Sequence, residues 1–327
     1  MDTFPITVHS LERHYKINAN RLEKQYKHHL SDYHSWNQKA HAQEWLLFPE
    51  NIGPYLSLDE TSLSDGELYT ILTNKQAKGK KGCLVAMIKG TKAEDIIQIL
   101  DKLSEEASDS VREVTLDMAN SMRKIAKKCF PKALITTDRF HVQKLCLDAL
   151  QKMRVEYRWE ALEQANRDQD IAKSNGKKYI PEVLENGDSP KQLLARSRYL
   201  LFKSYDKWTA SQKLRGDLLF SRYPKLKEAY DLTHTLRMIY NNSKSKNGAR
   251  LNLAKWYERV EKSGFKMFRT IVKTVYNNYD EILNFFVNRS TNASAESFNA
   301  KIKSFRASLR GVSDINFFLF RLAKIYA

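Results

Sequence analysis

The spacing of apolar residues changes twice along the chain. Between residues 10 and 45, Leu11, Tyr15, Ile17, Leu22 and Tyr26 fall at partly helical intervals, and Ser10, Asn18 and Asn20 are helix-capping types. The break at Lys16-Ile17-Asn18-Ala19-Asn20 predicts two short helices joined by a turn, a helix-turn-helix-like arrangement. From residue 54 the pattern turns strand-like. Tyr55–Asp59, Leu68–Thr73 and Cys83–Gly90 read as three strands of an antiparallel meander, the last following the basic turn Lys78-Gly79-Lys80-Lys81-Gly82. Thr91 then caps an expected helix that buries Ile96, Ile97, Ile99, Leu100 and Leu103. Val111–Leu116 reads as a fourth strand closed by Asp117. A helix from Ala119 to Cys129 stops before Pro131, and Ala133–Thr137 forms a fifth strand closed by Asp138.

The order β-β-β-α-β-α-β predicts an α/β fold, a mixed sheet with helices on both faces. Strand signals vanish between about residues 142 and 288, where Gln143–Arg167, Pro190–Phe202, Pro224–Tyr240, Leu251–Glu261 and Phe265–Phe286 read as helices. The stretch 174–187, with Asn175-Gly176 and Asn186-Gly187, reads as an exposed connector. Four segments follow: a helical N-terminal segment 1–50, the first part of an α/β core 51–144, an all-helical insertion 145–288, and the last part of the core 289–327. No repeat or low-complexity tract interrupts them.

Charge sharpens this picture. The 327 residues carry 55 Lys and Arg against 38 Asp and Glu, a formal net charge of +17. Residues 1–50 are neutral, residues 51–144 carry +2, and residues 145–327 carry +15. So lopsided a cationic half suits a polyanion, because each phosphate contact releases condensed counterions. Apolar runs stay far below the ~20 residues of a membrane span, and no secretory leader is visible, so a cytoplasmic protein with no membrane partner is expected. Three scattered cysteines make neither a disulfide framework nor a cysteine zinc site. His28, His29, His34 and His41 lack partners at metal spacing and read as surface residues.

The chemistry rests on carboxylates. Asp59 and Asp117 close strands expected to lie side by side, and facing carboxylates repel unless a cation neutralises them; hard oxygen ligands favour Mg²⁺. A third candidate lies on a helix expected over 291–311. Phe298, Ile302, Phe305 and Leu309 make its apolar stripe, and Glu296, Asn299, Lys303, Arg306 and Arg310 fall opposite, with Gly311 as the stop. Trp208 and Trp256 could stack on an unpaired base, although buried positions are commoner for tryptophan.

The motifs Leu58-Asp59-Glu60, Leu116-Asp117-Met118, Asp138-Arg139-Phe140-His141 and Thr291-Asn292-Ala293-Ser294-Ala295-Glu296-Ser297-Phe298-Asn299-Ala300-Lys301-Ile302-Lys303 stand in this order. Together they resemble DDE-class transposases of bacterial insertion sequences, of the ISL-three type, over roughly residues 54–325. The resemblance implies a ribonuclease-H-like core interrupted by a helical insertion, and cleavage and joining of DNA in transposition. It implies Asp59, Asp117 and Glu296 as ligands of two Mg²⁺ ions, replaceable by Mn²⁺, with Asp138, which also closes a strand, as the rival to Asp117. Asp138 and His141, a D-x-x-H pair, and Asn299 would support them. Lys301, Lys303, Arg306 and Arg310 would contact DNA phosphates. The implied partners are terminal inverted repeats, target DNA and a second copy of the chain bound to DNA, with the nucleoid as the working location. Relatives usually carry an N-terminal cysteine-rich zinc module that is not seen here. A separate small protein supplying it, or a shortened copy, is therefore expected.

Overall fold

The computed structural model describes residues 1–64 and 67–327. Two compact units emerge: Met1–Asp138 with Asn288–Ala327, and Arg139–Val287. The first unit opens with α1 (Val8–Tyr15) and α2 (Ala19–Gln25). Its strands are β1 (Trp45–Leu47), β2 (Tyr55–Ser64), β3 (Glu67–Asn74), β4 (Leu84–Lys89), β5 (Glu113–Leu116) and β6 (Leu134–Thr137). Helices α3 (Ala93–Leu100) and α4 (Glu105–Asp109) lie between β4 and β5, and α5 (Asn120–Cys129) between β5 and β6. The second unit is helical: α6 (Arg139–Ser174), α7 (Pro190–Arg196), α8 (Ala210–Arg222), α9 (Pro224–Asn242), α10 (Lys246–Ser263), α11 (Lys266–Asn277) and α12 (Tyr279–Asn288), whose last residue belongs to the first unit. The chain returns to the first unit for α13 (Ala293–Ser308) and α14 (Ile315–Tyr326).

The six strands form one sheet in the order β1-β4-β3-β2-β5-β6. The β2–β5 and β5–β6 pairs are parallel and the others antiparallel. This is an α/β fold with a ribonuclease-H-like mixed sheet flanked by helices. Strand alternation explains the two layers of core. Leu56, Leu58, Leu72 and Val114 point to one face, where Ile96 and Leu100 of α3 and Met122 and Ile125 of α5 cover them. Ile71, Leu84 and Met87 point to the other, beneath Phe298, Ile302 and Phe305 of α13 and Phe318 and Leu322 of α14.

Four local readings change. Strand β1 was not expected; it adds to β4 at the sheet edge, with Trp45 opposite Ile88. Three residues give too short a pattern to read. Its outer edge is closed by Gln38, whose side-chain amide exchanges two 2.9 Å hydrogen bonds with the Leu47 backbone, as a neighbouring strand would. Helix α3 starts after Lys92, not Thr91, with no side-chain cap; Glu94 and Asp95 in its first turn complement the helix dipole instead. Strand β2 does not end at Asp59 but runs on to Ser64, paired with β3 throughout. Helix α13 stops at Ser308, so Arg310, with φ of 54°, lies beyond it. The expected pair of short helices does form, with Lys16 left-handed and Asn18 accepting from the Arg21 N–H as the cap of α2.

In the second unit, Trp208 and Trp256 are buried, their indole N–H groups donating to the Leu200 and Leu232 carbonyls at 3.0 and 2.9 Å. Both serve the core and neither is open to a base. His234 is only 8% exposed. Its Nε2 lies 3.2 Å from the Leu201 carbonyl, and its Nδ1 lies 3.3 Å from an Arg237 guanidinium nitrogen. Only the neutral ring with its proton on Nε2 satisfies both. Burial first, and then the Arg237 charge, pushes its pKa from 6.5 down to about 4.

A base whose folded pKa lies below its unfolded value stabilises the fold fully above the unfolded pKa. That contribution fades as pH falls toward the folded pKa, here by up to about 3 kcal/mol. Urea unfolding should therefore show the stability gap between the wild type and His234→Gln shrinking by roughly 2–3 kcal/mol between about pH 7 and pH 4. A gap that stays constant with pH would contradict the buried neutral ring.

Candidate active site at the ends of the parallel strands

The sheet face beneath α13 changes character from one side to the other. Under β3 and β4 it is apolar, but across β2, β5 and β6 the inward positions are polar. Ser57, Thr115 and Thr136 lie side by side in the ladder, and Thr73 continues the row onto β3. All four are buried. One strand position away on β5, Glu113 is 1% exposed, with one carboxylate oxygen accepting from Asn288 Nδ2 at 2.8 Å and the other from the Thr115 hydroxyl at 3.3 Å. The Lys75 ammonium enters the same layer. It donates to Thr115 Oγ1 at 2.6 Å and lies 3.8 Å from Glu113. Burial lowers the Lys75 pKa, and the charges of Glu113 and Asp138 oppose that shift.

On the other side of the hydroxyl row stand the aspartates. Ser57 pairs with Thr115, and Leu116 pairs with Thr137. Continued by the same register, Asp59, Asp117 and Asp138 stand abreast on three parallel strands, and the ladder bond from the Asp138 N–H to the Leu116 carbonyl (2.8 Å) carries it that far. Asp59 and Asp117 are half-buried, whereas Asp138 is 1% exposed. Asp117 accepts from the Ala119 N–H at 2.7 Å, turning the chain into α5. Glu60 follows Asp59, and its carboxyl is pushed above the ordinary range by burial and then by the negative charges of Asp117 and Asp59. The cluster thus carries a negative potential that Lys75, beneath the hydroxyl row, offsets only in part.

Helix α13 is fastened to this row at two points. Asn292, its N-terminal flanking residue, donates its backbone N–H to Asp138 (3.3 Å) and its amide to the Leu58 carbonyl (3.4 Å). Asn299 donates to Asp59 Oδ2 at 2.8 Å, and the Glu60 N–H donates to Asp59 Oδ1 at 2.9 Å. Asn299 is therefore buried, not on the solvent side as the helical pattern suggested, because the polar half of the sheet lies under it. Glu296 is exposed, and its carboxylate comes within 4.8 Å of that of Asp138. Asp59 and Asp117 are outside that close group. Among the described residues, one buried oxygen of Asp138, Oδ2, finds no hydrogen-bond partner.

His141 opens the second unit in the first turn of α6, three residues after Asp138. The cationic candidates on and beyond α13 scatter. Lys303 is exposed. Arg306 is close enough to Tyr69 to oppose the upward push that burial gives that phenol. Lys301 turns away from the carboxylates and donates to the Gly79 carbonyl at 2.8 Å.

A family model described as Transposase, that of the ISL3 DDE group, matches residues 56–322. The chain belongs to the ISL3 family of DDE transposases. No curated protein and no solved structure matches it. As a transposase it is a DNA-binding enzyme of DNA transposition, and its family works with divalent metal. Among the described residues no helix is long and apolar enough to cross a membrane.

Sequence reasoning about this transposase missed Lys75, Glu113, the Asn292 anchor and the hydroxyl row. One signal was present: Glu113-Val114-Thr115-Leu116-Asp117 alternates polar and apolar in a strand that is buried throughout. Replacing Lys75 by Met leaves Glu113 sealed in without a cation, which should cost about 3 kcal/mol. Adding Glu113→Gln should restore more than half of that loss in chemical denaturation. A double variant as unstable as the two single losses combined would show that the pair does not interact.

Proposed function

We propose that this transposase cuts DNA at insertion-sequence ends and joins the freed 3′-hydroxyl to target DNA. In this reading Asp59, Asp117 and Glu296 hold the divalent ions. The observation that carries it is the row of carboxylates standing abreast on the three parallel strands, with Asp59 and Asp117 open enough to reach DNA and Glu296 exposed on a helix fastened to the same row. The donor set fits a hard cation. It consists of carboxylate oxygens whose mutual repulsion is already felt by Glu60. Two Mg²⁺ ions, or Mn²⁺ in their place, would supply activation of the attacking oxygen and stabilisation of the leaving oxygen.

The chain's own residues have separable tasks. Asn299 fixes the Asp59 carboxylate through Oδ2, so the side chain is held before any ion arrives. Asp138, too enclosed to meet DNA directly, holds the Asn292 N–H and so sets where α13 begins. His141 follows it in the D-x-x-H motif as a supporting residue. Lys303 and Arg306, and Arg310 beyond the helix end, neutralise phosphates of the bound strand. Hydrolysis and transesterification by activated oxygens require no covalent link between protein and DNA, so no nucleophilic side chain is assigned. Two ends must meet for joining, which calls for a dimer on DNA.

A second reading makes Asp138 a metal ligand, favoured by its unpartnered Oδ2 and its closeness to Glu296. Isosteric amides separate the two. Asp138→Asn retains an acceptor for the Asn292 N–H and should keep cleavage of end-containing DNA within about 10-fold, whereas Asp117→Asn should lose about 10³-fold or more. The reverse pattern would transfer the ligand role to Asp138. A strand-transfer assay with pre-cleaved ends checks joining separately; cleavage without joining would make the protein a nuclease, and neither activity would leave a DNA-binding protein.

A further inference from the structure

A second cationic feature lies on the opposite flank of α13. At about 100° per residue, Lys301 lies some 200° around the helix from Asn299, so the two point to opposite sides. Lys301 faces the turn Lys78-Gly79-Lys80-Lys81-Gly82. Lys78, Gly79 and Gly82 there are all left-handed, with φ of 52°, 69° and 81°. Gly79 takes a φ that favours glycine, and its carbonyl accepts from the Lys301 ammonium at 2.8 Å. The turn is thereby pinned against α13, and Lys80 and Lys81 project from it into solvent. Among the described residues neither pairs with a carboxylate. Lys324, at the end of α14, pairs with Asp32 at 2.8 Å.

These lysines line a groove of about 730 Å³ within the first unit. That falls in the range of ligand pockets, ~300–1,000 Å³. Its one carboxylate, Asp2, already accepts the Tyr26 hydroxyl. The lining also carries Phe4, 65% exposed, and further apolar side chains from α13 and α14.

We propose that this groove is a second nucleic-acid site, one that takes a short stretch of single-stranded DNA. The lysines supply the charge that follows a phosphate backbone, and the exposed aromatic ring supplies a stacking platform. A duplex keeps its base faces stacked inside and presents phosphates outward, so it would use the lysines but not Phe4. The width of α13 separates the groove from the carboxylates, and the proposal holds whether or not those carboxylates cut DNA.

The test is fluorescence anisotropy with the full chain, using an oligo(dT) of about 12 nucleotides and a duplex of the same length. Phe4→Ala should weaken oligo(dT) binding about 5-fold or more while duplex affinity stays within about 2-fold. The pair Lys80→Gln and Lys81→Gln should weaken oligo(dT) about 10-fold and reduce the slope of log K against log salt by about 1.4, from two lost phosphate contacts. Asp59→Asn should leave oligo(dT) binding unchanged, so failure of the carboxylate assignment and failure of this one are distinguishable. Loss of oligo(dT) binding in Asp59→Asn would place the strand in the carboxylate site and overturn the proposal. So would an unchanged oligo(dT) affinity in Phe4→Ala, or an equal loss for duplex and single strand in that variant.

Discussion

Carboxylates brought together at one end of a sheet repel one another, and the first unit is organised around that repulsion. Asp59, Glu60, Asp117, Asp138 and Glu296 cannot sit together on an apolar floor, because desolvated like charges would protonate or part. The floor beneath them is polar: a row of buried hydroxyls, a buried Glu113, and the Lys75 ammonium that offsets part of the charge. Hydrogen bonds from Asn292 and Asn299 hold individual carboxylates in place. Clustered carboxylate oxygens suit a hard divalent cation, and that is the physical basis for the proposed metal role.

The same face must also pack α13, and it does so by dividing the labour. Phe298, Ile302 and Phe305 press on the apolar half over β3 and β4, which supplies the burial that holds the helix. Asn292 and Asn299 meet the polar half and set its register against β2 and β6. One helix thus connects the carboxylate row on one flank with the lysine turn on the other.

Much of this could be read from the chain. The short apolar stretches Leu68–Thr73 and Cys83–Gly90, and the order of strands and helices, gave the mixed sheet, because strands buried against helices on both faces read as near-continuous apolar runs. The stripe on α13 was legible for the same reason. What escaped reading depends on partners distant in sequence. Asn299 looked solvent-facing, since a helical wheel does not reveal that the surface beneath is polar. Asp59 looked like a strand end, since nothing local tells that β3 accompanies β2 beyond the point where β5 stops. Lys75 carries no local signal, and only the fold brings it to Glu113. The three-residue β1 has no periodicity to detect.

The central claim concerns which carboxylates gather the ions, and crystals of the transposase grown with Mn²⁺ would test it most directly, because manganese can be located by its anomalous scattering. The account predicts peaks bounded by oxygens of Asp59, Asp117 and Glu296, with Asp138 still bonded to the Asn292 N–H. Manganese bound to Asp138 and Glu296 with Asp59 and Asp117 bare, or no manganese at the strand ends at saturating concentration, would contradict it.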